Sequence, residues 1–257
     1  MNMCLTFIRI AIIAGLAAGL FLSGCDDPNY APESFPNVST ENPSFQFNLT
    51  DASGVLVASQ SYIFDDNGYP VPEPGENLAL AFFPGSPGST LYVPAGEIVV
   101  NSRQMDIQPD TTYVFNDPGS PISFSSGVIW NVSGSPMIEP LNETLSNPFP
   151  SYILNRILPD HIKRLDGFTL YFGQGAFQNA SSVVAAVHSG DKYASQLIPS
   201  NAVACSFLAE ELGQLPPSES ATIQVTARFK KKKILDENKN IYFVNQAIYC
   251  KKNVALK

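Results

Sequence analysis

Residues 221–229 read Ala221-Thr222-Ile223-Gln224-Val225-Thr226-Ala227-Arg228-Phe229, and residues 241–250 read Ile241-Tyr242-Phe243-Val244-Asn245-Gln246-Ala247-Ile248-Tyr249-Cys250. Successive side chains of a strand point to opposite faces, so period-two alternation marks a half-buried strand. In the first stretch Ile223, Val225 and Ala227 fall on one face, with Thr222, Gln224, Thr226 and Arg228 on the other. The second stretch is mostly apolar and can run antiparallel to the first. These two segments set the expectation of a mainly β protein. The residues between them, Lys230 to Lys233 and Asp236-Glu237-Asn238-Lys239-Asn240, are expected in the connecting loop.

Working back along the chain, Gly167–Phe172 and Ser182–Val187 give further strands, and Phe207–Leu215 gives a short helical turn stopped by Pro216-Pro217. Tyr152–Leu165 is expected as a short or broken helix, with Pro159 in its way. Earlier still, Phe45, Phe47 and Leu49 alternate, and strands are expected near Val55–Ala58, Tyr62–Phe64, Leu78–Phe83, Leu91–Val93, Ile98–Val100, Thr112–Phe115 and Val128–Val132. Knots of Gly, Pro and Ser, such as Pro84-Gly85-Ser86-Pro87-Gly88-Ser89, separate them. Short strands broken every 8–12 residues read as antiparallel sandwich-like folds.

Charge divides the chain. Between residues 26 and 150 there are fifteen carboxylates against one basic residue, Arg103, whereas residues 151–257 carry eight carboxylates and thirteen Lys or Arg. Seventeen of the twenty-one prolines precede residue 151. The expectation is two antiparallel β-sandwich-like domains: an acidic, Pro-rich one at 44–136 and a second with a basic hairpin at 161–257. Residues 137–160 are then a linker or short helix. A net charge of -8 argues against a nucleic-acid partner.

Residues 10–22 form an apolar run interrupted by Gly15 and Gly19, about 20 Å of helix. That is short for a bilayer crossing and right for a signal-peptide core. The run ends in Leu22-Ser23-Gly24-Cys25, a branched residue and two small residues before a cysteine, which resembles the lipobox of bacterial lipoproteins. The resemblance implies a signal peptide over 1–24, cleaved before Cys25, with Leu22, Ser23 and Gly24 recognised by the signal peptidase and the Cys25 sulfur acylated. Two or more acyl chains tether a protein stably to a bilayer, whereas one does so marginally. Residues 25–43, with four prolines, then read as a lipidated stem. The implied location is the bacterial cell envelope, on the periplasmic or cell-surface side. The general layout is similar to two-domain envelope lipoproteins of Bacteroidetes, among them surface glycan-binding proteins and fimbrillin-like subunits.

No residue set points to catalysis: H-E-x-x-H, C-x-x-C, G-x-S-x-G and G-x-G-x-x-G are all absent, and no cofactor is implied. The expected role is binding or scaffolding, with a polysaccharide or envelope protein as partner; a structural, fimbria-related subunit and a cryptic hydrolase are the alternatives. Trp130, Tyr69 and Tyr92 are the candidate ligand contacts, because sugars stack their C–H faces on aromatic rings. Asp65, Asp66 and Asn67 offer hard oxygen ligands for calcium, or simply make a hairpin turn. Cys205 and Cys250 fit one disulfide, or two thiols buried in strands. Lys230, Lys231, Lys232 and Lys233 form a basic patch that is a solvated hairpin end or an electrostatic contact, either with the acidic half or with an anionic lipid or polysaccharide. Asp110-Thr111-Thr112 resembles the short O-glycosylation motif of Bacteroidetes envelope proteins, with Thr111 as acceptor. The Asn-x-Ser/Thr triplets, including Asn131 and Asn142, carry no message in a bacterium.

Overall fold

The computed structural model describes residues 38–39, 47, 49–146, 149–152, 158–236 and 239–257. The signal-peptide and lipobox positions, and most of the stem, lie outside the described residues. Within them the protein is mainly β, as expected. Its largest sheet has eleven strands. Nine follow one path: β1 (Val38–Ser39), β16 (Lys192–Ile198), β15 (Ser182–Ser189), β18 (Ser218–Ile234), β19 (Asn240–Leu256), β2 (Ala52–Phe64), β4 (Leu78–Phe82), β8 (Tyr113–Phe115) and β7 (Asp106–Ile107). Two more attach at the side, β3 (Pro70–Pro72) to β2 and β12 (His161–Ile162) to β19. A second sheet orders β10 (Leu141–Leu145), β9 (Val128–Val132), β5 (Ile98–Val100) and β6 (Arg103–Gln104). Two short ladders join β11 (Ser151–Tyr152) to β14 (Phe177–Gln178) and β13 (Phe168–Tyr171) to β17 (Ala204–Phe207), and one helix, α1, spans Ala209–Gly213.

The β18–β19 hairpin is the spine. Each strand has 17 residues, about 55 Å of extended chain. The four lysines do not sit in its loop. They are paired in the ladder, Lys230 with Val244, Lys231 with Phe243, Lys232 with Tyr242 and Lys233 with Ile241. A ladder needs only backbone groups, and a lysine stem lies against apolar surface while its ammonium reaches solvent.

The charge boundary separates two compositions but not two sheets. Strand β2, from the acidic half, runs parallel to β19, from the basic half, with Ile241 beside Gly54 and Cys250 beside Ile63 at the ends of the unbroken register. The expected antiparallel pairing is corrected at this ladder, which is parallel. β19 is covered on both faces, which accounts for its mostly apolar character. On one face Ile241 and Phe243 join a core with Leu56, Phe83, Ile98 and Trp130, and further along Ala247 and Tyr249 join another with Phe64, Val225 and Phe207. On the opposite face Tyr242 and Val244 pack with Val55, Val57, Phe47 and Leu49. Gly54 has a steric reason: a β-carbon there would lie 2.7 Å from the Phe83 ring and 2.8 Å from Ile241.

Two further expectations are revised. Residues 137–160 are not a plain linker, since β10 lies within them and completes the four-stranded sheet. Of the expected helix Tyr152–Leu165, Tyr152 ends β11 and residues 158–165 contain β12 and a turn.

Candidate functional site

Strand alternation gives the four-stranded sheet one dry face and one wet face. Ile98, Val100, Val128, Trp130, Val132, Leu141 and Leu145 turn inward to the core shared with β2, β4 and β19. The outward row across the sheet is Asn142, Asn131, Val99 and Gln104, in direct register. A cleft of about 460 Å³ opens on this face, lined by Glu97, Val99, Asn131, Ser133 and Asn142, with Val132, Pro140 and Leu141 behind them. Ser133 fixes one end: its Oγ accepts from the Glu97 amide at 2.7 Å, and its own amide donates to the Glu97 carbonyl at 2.9 Å.

Asn131 and Asn142 are both exposed, and neither side chain has a hydrogen-bond partner among the described residues. Directly opposed residues of an antiparallel pair lie about 5 Å apart. The pair therefore presents two amide donors and two carbonyl acceptors side by side, next to the apolar Val99. Glu97 is the one charged side chain in the lining.

The strand between those amides is held from behind. Glu143 points inward, opposite Trp130, with its side chain 12% exposed. Its two oxygens accept from Lys231 Nζ at 2.8 Å and Lys233 Nζ at 2.7 Å. Burial pushes this carboxyl up, but the two ammoniums outweigh it and hold the group below its ordinary value.

The remaining candidates scatter. Trp130 is fully buried. It is no exposed platform, because it shares the inward parity of Val128 and Val132. Tyr92 is half-buried, its ring 5.3 Å from that of Phe82, while Tyr69 is 69% exposed at the hairpin after Phe64. Phe82 pairs with Val55 at the far end of β2 from Phe64, so the two tyrosines sit about 30 Å apart. Asp65 is occupied by its own turn, its Oδ1 accepting from the amides of Asn67 at 3.0 Å and Tyr69 at 2.7 Å. These bonds are those of a hairpin turn, and among the described residues no group of three or more His, Cys, Asp or Glu is placed to hold a metal. Thr111 sits half-exposed in the turn before β8 with φ 64°, while Asp110 Oδ1 accepts from the amide and hydroxyl of Thr112.

Of the two readings open for Cys205 and Cys250, the structure has the second: they are separate, buried thiols. Cys205 faces the core that contains Tyr249, and Cys250, as the next residue on β19, faces the other way. Burial and the nearby Glu211 push the Cys205 thiol up to about 12.

The lysine run is not a free basic surface. Period-two alternation sends Lys231 and Lys233 to Glu143, while Lys232 meets Asp51 at 3.0 Å. Lys230 lies 5.5 Å over the Tyr242 ring, and the Tyr242 hydroxyl is 2.9 Å from both Asp51 oxygens. Both carboxylates belong to the acidic half, so of the contacts open to this run the intramolecular one is realised. Lys252 adds a third link between the halves, to Glu73 at 2.9 Å.

No protein-family model matches the chain, and comparison with curated proteins gives no match.

The sequence reading missed the cleft because it placed β10 in a linker. The signal within reach was parity: in Val128–Val132 the alternation that buries Trp130 must expose Asn131.

His188 supplies a pH handle. It stacks on Tyr193 with ring centroids 5.1 Å apart, its Nε2 has no hydrogen-bond partner among the described residues, and burial together with Lys252 lowers it from the usual 6.5 to about 4. The folded state thus keeps this ring neutral where the unfolded chain would protonate it. Stability is full above about 6.5 and falls as pH drops toward 4. Urea titrations across that window are expected to show a shallower loss for His188→Gln than for the parent protein.

Proposed function

We propose that the protein is a lipid-tethered cell-envelope protein that binds a neutral glycan, without chemical turnover, on the outer face of its four-stranded sheet. The observation that carries the binding reading is the pair of facing, unspent amides, Asn131 and Asn142, beside Val99. Sugar hydroxyls both donate and accept, which an amide pair matches, and an adjacent apolar side chain suits a ring's C–H face. The lining contains no Lys or Arg, which disfavours an anionic polymer. Glycosidic cleavage by acid–base chemistry uses two carboxylates, and Glu97 is the only one in the cleft, so binding is favoured over hydrolysis. The tether rests on Leu22-Ser23-Gly24-Cys25 after the apolar run, and the Pro-rich stem would hold the folded body clear of the bilayer.

Two measurements test the parts separately. Mass spectrometry of the N-terminal peptide of the parent protein is expected to show an acylated Cys25, absent from Cys25→Ser; an unmodified Cys25 thiol in the parent would contradict the tether. On an array of neutral and acidic glycans, the Asn131→Ala/Asn142→Ala protein is expected to bind neutral glycans at least about tenfold more weakly, the loss of two or more hydrogen bonds. Parent and variant binding alike would remove the cleft from the account.

A further inference from the structure

Glu143 stands between the cleft and the charged hairpin, and its geometry assigns it a role in the cleft that its own side chain never enters. Strand β10 is an edge strand of five residues whose only ladder neighbour among the described residues is β9. A short strand held on one side opens locally at low cost. Alternation along it places Asn142 outward, Glu143 inward and Thr144 outward, so whatever fixes Glu143 fixes the height and register of Asn142. Two lysines fix it. Lys231 and Lys233 are two apart on β18 and therefore share a face, and each takes a different oxygen of the carboxylate. Both lysines are held in the long β18–β19 ladder, Lys231 opposite Phe243 and Lys233 opposite Ile241, so the fixed end of the bond belongs to the spine of the protein.

We propose that the Glu143–Lys231–Lys233 ion pairs are a latch that holds β10 in register, so that Glu143 is a positioning residue for Asn142 and sets the affinity of the cleft from behind the sheet. The proposal rests on the cleft being the binding face and adds how that face is regulated. The charged groups acting on Glu143 are Lys231 and Lys233; β9 puts the neutral Trp130 opposite it. Because the lysines hold the carboxylate below its ordinary range, the latch stays closed at neutral pH and releases only as strong acid protonates Glu143. The two lysine side chains are 45% and 36% exposed, so high salt also weakens it, although the ligand carries no charge. Salt-sensitive binding of a neutral ligand is a signature that simple sheet packing does not produce.

The test uses the full chain, with hydrogen exchange of the Leu141–Leu145 amides and affinity for maltohexaose, laminarihexaose and mannohexaose as readouts. Glu143→Gln is expected to speed β10 exchange at least tenfold while the β18–β19 ladder stays protected. It is also expected to weaken binding of whichever probe the parent binds at least fivefold and to abolish its salt dependence. Glu143→Lys combined with Lys231→Glu and Lys233→Glu is expected to restore both protection and affinity. Unchanged β10 exchange in Glu143→Gln overturns the latch, as does acceleration spread equally over the main sheet. A parent protein that binds none of the probes overturns the glycan reading instead, and the exchange data then judge the latch alone.

Discussion

Trp130→Ala is expected to cost about 3–5 kcal/mol of stability, the range for removing a large aromatic side chain from a packed core. Trp130 is fully buried among Ile98, Val100, Phe243 and Leu145, so the deletion leaves a cavity that two facing sheets cannot both close. Against a typical net stability of 5–15 kcal/mol that is a large fraction, and for a chain of this size it lowers the melting temperature by roughly 10 °C. Trp130→Phe is expected to cost less, since it keeps most of the ring volume and removes an indole Nε1 that has no partner among the described residues. Thermal melts of the three proteins check this. An unchanged melting temperature with lost glycan binding would return Trp130 to the role of an exposed platform.

Severing the chain between residues 146 and 149 is expected to leave neither piece folded alone. The cut falls at the composition boundary, where two self-contained domains would part without harm. Here it takes β19 away from β2, whose Val55, Leu56, Val57 and Ala58 are all fully buried. Each fully buried Val, Leu, Ile or Phe contributes about 1.5–3 kcal/mol, so exposing these together with Ile241, Phe243 and Val244 exceeds the whole net stability. The cut also parts Glu143 from Lys231 and Lys233 and Glu73 from Lys252. Near-UV circular dichroism of each separately expressed piece is expected to be flat, without a cooperative melt. A cooperative transition in either piece would re-establish two domains.

Local patterns were legible and long-range pairing was not. The alternation of Thr222–Arg228 and the apolar run of Ile241–Cys250 announce the hairpin that forms the spine. Its extension through Lys230–Lys233 is silent, because a ladder asks nothing of side chains that lie flat and end in solvent. The parallel join of β2 to β19 unites segments nearly two hundred residues apart, and no local period encodes a register between them. The opposite charges of the halves were visible from composition, yet only the fold shows which carboxylates meet which lysines. Strand β10 hid between Pro140 and Pro148, residues that read as punctuation. With it went the cleft, since Asn131 has meaning only once Asn142 stands opposite.

The most direct measurement is a titration of the isotope-labelled full chain with neutral hexasaccharides, followed through its backbone and side-chain amide resonances. The account predicts saturable shifts concentrated at Asn131, Asn142 and Gln104, with Tyr69 and Tyr92 unmoved. Shifts confined to the tyrosine hairpins, or no shifts with any neutral sugar while an anionic one binds, would contradict it.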